Sequence, residues 1–148
     1  QYYFHSERGR NGLEKNRSSL IRLLWELWSP TWRFNDKAFE KSCPSFDNSD
    51  FVDVVIHSYR HRYGLVQGDP AYADIEARLA LQPKITVPTI TFDGADDGIR
   101  EPSSTDKDSH LFLNSRSHRI VPGVGHNMPQ ESPGIFADAI LELVRATK

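Results

Sequence analysis

Two stretches of this sequence read as β-strands, and both lie in its second half. Ile85-Thr-Val-Pro-Thr-Ile-Thr-Phe92 is dense in β-branched residues, with a proline near its start. His118-Arg-Ile-Val-Pro122 is a shorter second run. A weak helix, about Ser103 to Asn114, is predicted between them. Ser132 and Pro133 then cap and open a last helix whose apolar face is Phe136, Ala139, Ile140, Leu143 and Val144. Strand, helix, strand, helix implies a parallel sheet. Two strands are too few for a parallel sheet covered by helices on both faces, and the first strand has no polar side suited to water. The sheet is expected to be completed by another chain or by sequence beyond these residues.

The first half is almost wholly helical by pattern. Asn11-Gly12 predicts a turn. From about Leu13 to Trp28, Leu13, Leu20, Leu24 and Leu27 recur at helical spacing, with Ile21, Trp25 and Trp28 widening the apolar face; Ser29-Pro30 ends the helix. A short helix after Asn35-Asp36 carries Phe39 inward and is expected to break at Cys43-Pro44. Asn48 or Ser49 caps the next, which runs to about Tyr63 and stops at Gly64, with Val52, Val55, Ile56, Tyr59 and Tyr63 as its stripe. Asp69-Pro70 opens another, whose buried face is predicted to be Tyr72, Ile75 and Leu79. The organisation expected is a helical segment over 1–83 and an α/β segment over 84–148.

Both strands run into glycine turns. Thr91-Phe-Asp-Gly-Ala-Asp-Asp-Gly98 presents acids, and Val121-Pro-Gly-Val-Gly-His-Asn-Met-Pro129 presents His126 on a loop rather than on an apolar helix face. Loops just past strand ends are where open α/β sheets place their working residues. A carboxylate that orients an imidazole supplies two members of a nucleophile–base–acid triad. Asp93, Asp96 and Asp97 compete for the role of acid; no nucleophile is evident.

The bulk properties narrow the remaining classes. A net charge of −2 over 148 residues gives no strong drive toward nucleic acid or an anionic membrane. No apolar run approaches the roughly 20 residues that span a bilayer. Cys43 is alone and cannot form an internal disulfide, which fits a reducing, cytoplasmic setting. The chain opens on Gln1-Tyr-Tyr-Phe4, an aromatic segment that predicts folded sequence before it. His57 and His61 stand four apart on a helix, but no glutamate follows His57 and no third ligand is evident, so no metal is expected.

A strand, Gly94-Ala-Asp-Asp97, a second strand and then Gly125-His126 resembles the C-terminal part of the α/β-hydrolase fold, with Asp97 and His126 separated by 29 positions. In that fold the Gly-x-x-Asp turn supplies the triad acid, the histidine follows the last strand, and a helical cap covers the site. Gln1-Tyr-Tyr-Phe4 and Ser58-Tyr59-Arg60 are similar to cap motifs of epoxide hydrolases and haloalkane dehalogenases. The resemblance implies a helical cap followed by two parallel strands with flanking helices, in an incomplete sheet. It implies Asp97 as acid, His126 as base and Tyr59 as donor to an epoxide oxygen, with no cofactor. An aspartate nucleophile would lie in the N-terminal half of the same protein, acting on a small-molecule substrate.

Two other functions fit the same residues. A serine α/β-hydrolase acting on esters or C–C bonds would use His126 in both steps and leave Tyr59 without a required proton role. A non-catalytic helical binding or dimerisation module would carry Asp97 and His126 idle. Whether the chain pairs as a homodimer is left open by the sequence.

Overall fold

In a computed structural model, which describes residues 2–102 and 108–146, the chain is mainly helical up to Ala80 and turns to paired strands only at Thr89. Gln1, part of the first cap-like motif, lies outside the described residues. The backbone forms two compact units. One takes the residues up to Leu24 together with Phe34–Arg78; the other takes Trp25–Arg33 together with the residues from Leu79 onward.

In the first unit, a 3-10 turn at Tyr2–His5 leads to α1 (Glu7–Lys15), capped by Ser6, whose hydroxyl oxygen accepts the Gly9 N–H at 3.1 Å. The turn predicted at Asn11-Gly12 is not there: α1 runs through it. A side chain at Gly12 would collide with the Tyr3 phenol, so this glycine admits a ring beside the helix rather than a reversal. The single helix predicted from Leu13 is therefore two, α1 and α2 (Arg17–Trp28). They part at Asn16, whose N–H closes on Gly12 and Leu13 while its carbonyl accepts Leu20 N–H at 2.8 Å.

Asn35 caps α3 (Asp36–Glu40), which buries Phe39 as the sequence predicts. The expected break at Cys43-Pro44 is instead the first turn of α4 (Cys43–Phe46), where proline's missing N–H has no helical partner to lose. Next comes α5 (Phe51–Arg62), ending at Gly64 with φ +69° and a Leu65 N–H to Arg60 carbonyl bond of 2.9 Å. Phe4, Leu13, Val52 and Ile56 form the buried core of this unit, flanked by Leu20, Ile21, Leu24, Phe51, Val55 and Tyr59. Ion pairs Arg60–Glu7, at 2.8 Å, and Arg10–Asp53 tie α1 to α5 at the surface.

Asp69 accepts from Ala71 N–H at 2.9 Å and opens a 3-10 turn at Pro70–Tyr72, followed by α6 (Ala73–Ala80). Here the predicted burial is wrong: Tyr72, Ile75 and Leu79 are 58%, 52% and 63% exposed. The periodicity marks a face made for burial, but no described residue covers it.

In the second unit, β1 (Thr89–Gly94) and β2 (Arg116–Val121) pair in parallel, in register from Thr89 opposite Arg116 to Gly94 opposite Val121. The first strand starts later than predicted because Pro88 has no N–H for a ladder; upstream, Ile85 makes only an isolated bridge with Phe112. Of the helix predicted over 103–114, residues 103–107 lie outside the described residues. The rest forms only a 3-10 turn at Ser109–Leu111, because Phe112 turns extended to meet Ile85. A four-residue helix the sequence did not suggest, α7 (Met128–Glu131), precedes α8 (Pro133–Ala146). Val121, Val124 and Met128 form this unit's core with Phe92 and Phe136 against them. On the predicted face of α8, Ala139 is buried, whereas Ile140 and Val144 are about half exposed. Among the described residues no helix is long and apolar enough to cross a membrane.

Candidate active site

The loop after β1 and the loop after β2 leave adjacent strands at the same end and are stitched together by their backbones. Ala95 N–H donates to the Val121 carbonyl and Asp96 N–H to the Val124 carbonyl, each at 2.9 Å. A Cβ at Gly94 would strike the carbonyl oxygens of Val124 and Gly125, so the two loops approach this closely only over glycine. The consequence is that Asp97 and His126 meet: His126 Nδ1 lies 2.9 Å from Asp97 Oδ2.

Of the three competing acids, Asp97 alone reaches this ring. Asp93 points instead to His118, 3.3 Å from its Nε2, and Asp96 joins the loops through its N–H. The other oxygen of Asp97, Oδ1, accepts the Ile99 N–H at 2.7 Å and the Arg100 N–H at 3.2 Å. Burial pushes this carboxyl's pKa up. The hydrogen bond with His126 and the two backbone donors outweigh burial and hold it below the usual carboxylate value. An ionised Asp97 only accepts, so this bond places a proton on His126 Nδ1, and in the neutral imidazole the lone pair is then on Nε2. That is the tautomer a general base needs.

Three residues of this site escaped the sequence reading. The sequence pattern puts Trp28 on a helical apolar face and Ser29 at a helix end, yet both support the histidine loop. The Trp28 carbonyl accepts Gly98 N–H at 3.0 Å and His126 N–H at 3.1 Å, so one oxygen holds both loops. The Trp28 indole meets the His126 ring edge-on, with centroids 5.3 Å apart. Ser29, 1% exposed, donates to Glu131 Oε1 at 2.6 Å and accepts His126 N–H at 3.1 Å. Glu131 is the third, taking the Gly125 and Asn127 N–H groups at 2.7 and 2.8 Å. A serine 102 positions from its carboxylate leaves no periodic trace in the sequence.

Tyr59 lies in the other unit, on α5. Its ring packs on Phe4, centroids 5.0 Å apart, and the Arg62 guanidinium stands 5.6 Å from its centre. Burial raises its pKa above the usual phenol value, Arg62 opposes this and Tyr63 adds to it, so the hydroxyl stays protonated. His57 and His61 stack with centroids 5.7 Å apart. Among the described residues no group of three or more ligand-type side chains converges on a metal position.

The parallel strand pair, its helices and the acid and histidine turns at one sheet end define the class: this chain has part of an α/β-hydrolase fold. It is similar to the crystal structure of a "putative epoxide hydrolase" from Klebsiella pneumoniae subsp. pneumoniae MGH 78578, with 40% identity and a TM-score of 0.92 over 97% of the chain. A serine hydrolase involved in carbazole degradation, the CarC enzyme, shares the fold at 22% identity, with a TM-score of 0.58 over 88% of the chain. The chain spans about half the length of each, 48% and 47%. No family model matches the sequence, and no curated protein matches it.

Proposed function

We propose that this chain contributes the acid, the base and the cap of an epoxide-hydrolase-like enzyme whose aspartate nucleophile comes from sequence outside these residues. The observation that carries the reading is the Asp97–His126 bond, with Nε2 left as the basic nitrogen. The substrate class is supported by the 40% identity to the Klebsiella protein and its name. The half-exposed apolar faces of α6 and α8 suit a chain that packs against further sequence.

The chemistry has two steps. A carboxylate oxygen attacks an epoxide carbon, the carbon–oxygen bond of the ring breaks, and an ester forms while Tyr59 hydrogen-bonds the oxygen as it gains negative charge. A carboxylate needs no base for this. Water then attacks the ester carbonyl, His126 Nε2 takes its proton, and Asp97 stabilises the imidazolium. The carbonyl–oxygen bond of the ester breaks, the departing oxygen takes the proton from Nε2, and the water's other proton, left on the new carboxyl group, passes to the oxygen freed in ring opening. Release of the diol thus restores both the carboxylate and the base.

The test is an assay of the intact protein against an epoxide, a haloacid and an aryl ester, comparing parent with His126→Ala. Turnover of the epoxide that is lost in the variant supports the reading. Equal rates in both proteins remove His126 from the mechanism, and turnover of the aryl ester alone assigns a serine-type hydrolase.

A further inference from the structure

Three consecutive amides, those of Gly125, His126 and Asn127, all donate to one pair of side chains. Glu131 takes Gly125 N–H on Oε2 and Asn127 N–H on Oε1, at 2.7 and 2.8 Å. Ser29 Oγ takes His126 N–H at 3.1 Å, Asn127 N–H at 3.3 Å and the Asn127 side-chain amide at 3.1 Å. The two acceptors are joined by Ser29 Oγ–H to Glu131 Oε1 at 2.6 Å. Around His126 the chain is neither strand nor helix: the His126 N–H also reaches the Trp28 carbonyl, whereas the Gly125 and Asn127 amides would otherwise have to find water. Gly125 is pressed so close that a Cβ there would lie 2.5 Å from Ser29 Cα, so only glycine lets the two segments meet.

We infer that Ser29 and Glu131 are positioning residues for His126: they form a clamp that fixes the histidine backbone, and through it the imidazole, against Asp97. Resting on the reading of Asp97 and His126 as the working pair, the clamp adds to it the groups that set their geometry. Neither residue touches substrate or moves a proton. Their effect arises because the base must stay within hydrogen-bond reach of a water held on the ester, and a small misplacement slows that step steeply. The Trp28 carbonyl gives the clamp its second anchor, since it binds both Gly98 and His126 N–H groups.

The two steps of the proposed reaction separate positioning from general loosening, because His126 acts only in the second. Ser29→Ala and Glu131→Gln, made in the intact protein, are expected to form the ester within about 3-fold of the parent rate and to hydrolyse it on the order of 10- to 100-fold more slowly. The low-field proton resonance of His126 Nδ1–H, bonded to Asp97, should broaden or move upfield in both. Glu142→Gln, which breaks the Arg119–Glu142 pair on the same unit, is the control and should leave both steps and the resonance unchanged. Parent-like ester hydrolysis with the resonance in place, in variants whose parent needs His126, overturns the clamp alone. Slowing of both steps equally also overturns it, in favour of plain destabilisation. If His126→Ala itself hydrolyses at the parent rate, the catalytic reading falls and the clamp's catalytic role with it. Where one variant does not fold, the other carries the test, and the resonance reports the geometry without substrate.

Discussion

Asp97 divides its carboxylate between two tasks: Oδ2 meets His126 Nδ1 at 2.9 Å, and Oδ1 is held by the backbone amides of Ile99 and Arg100. The two backbone bonds hold one carboxylate oxygen, so the imidazole meets a group that is itself tethered.

Replacing Asp97 by asparagine preserves the shape but offers a side chain that can donate to Nδ1. The other tautomer is then favoured, with the proton on Nε2. Hydrolysis of the ester by the intact protein is expected to fall by about 10⁴-fold, the scale seen when the triad acid of a serine protease is changed this way. Single-turnover kinetics should show ester formation little changed.

The lowered pKa of Asp97 has a stability signature. A carboxylate held below its unfolded value stabilises the fold fully above that value, about pH 3.9, and loses the contribution as pH falls through the lower, folded one. Thermal melts of parent and Asp97→Asn should therefore differ by a constant amount above about pH 5 and converge in strong acid. A gap that widens on acidification would contradict the sign.

Tyr59→Phe removes a hydroxyl and little packing, since the ring's contact with Phe4 remains. Epoxide opening is expected to slow by about 10- to 10³-fold while ester hydrolysis is unchanged, the loss of one donor to a developing oxyanion. The rate of ester formation in rapid-quench experiments checks this. An unchanged rate makes Tyr59 a core tyrosine only.

Leu13 is fully buried and Leu27 is 57% exposed, although both fell on one predicted stripe. Leu13→Ala should cost about 2–5 kcal/mol in denaturant titrations of the intact protein, and Leu27→Ala less than about 1 kcal/mol.

The meeting of Asp97 and His126 was legible because glycine turns after apolar runs are local signals, and the spacing between them fits one helix and one strand, of which the described residues form the strand and a 3-10 turn. Phe39, Val52 and Ile56 were legible as core from helical period alone. What failed was what the period does not contain. Gly12 looks like a turn until Tyr3 is seen against it, and Ile75 and Leu79 look buried because a pattern shows which face seeks cover without showing what provides it. Ser29 and Glu131 were invisible for a third reason, since their bond is a single contact between distant segments.

The central claim is that His126 serves only the second of two steps, and one mass spectrum tests it. Intact His126→Ala protein incubated with an epoxide should accumulate a stable adduct equal in mass to the whole epoxide, carried on an aspartate, while the parent shows it only transiently. A variant that forms no adduct, or one that releases diol as fast as the parent, would contradict the account.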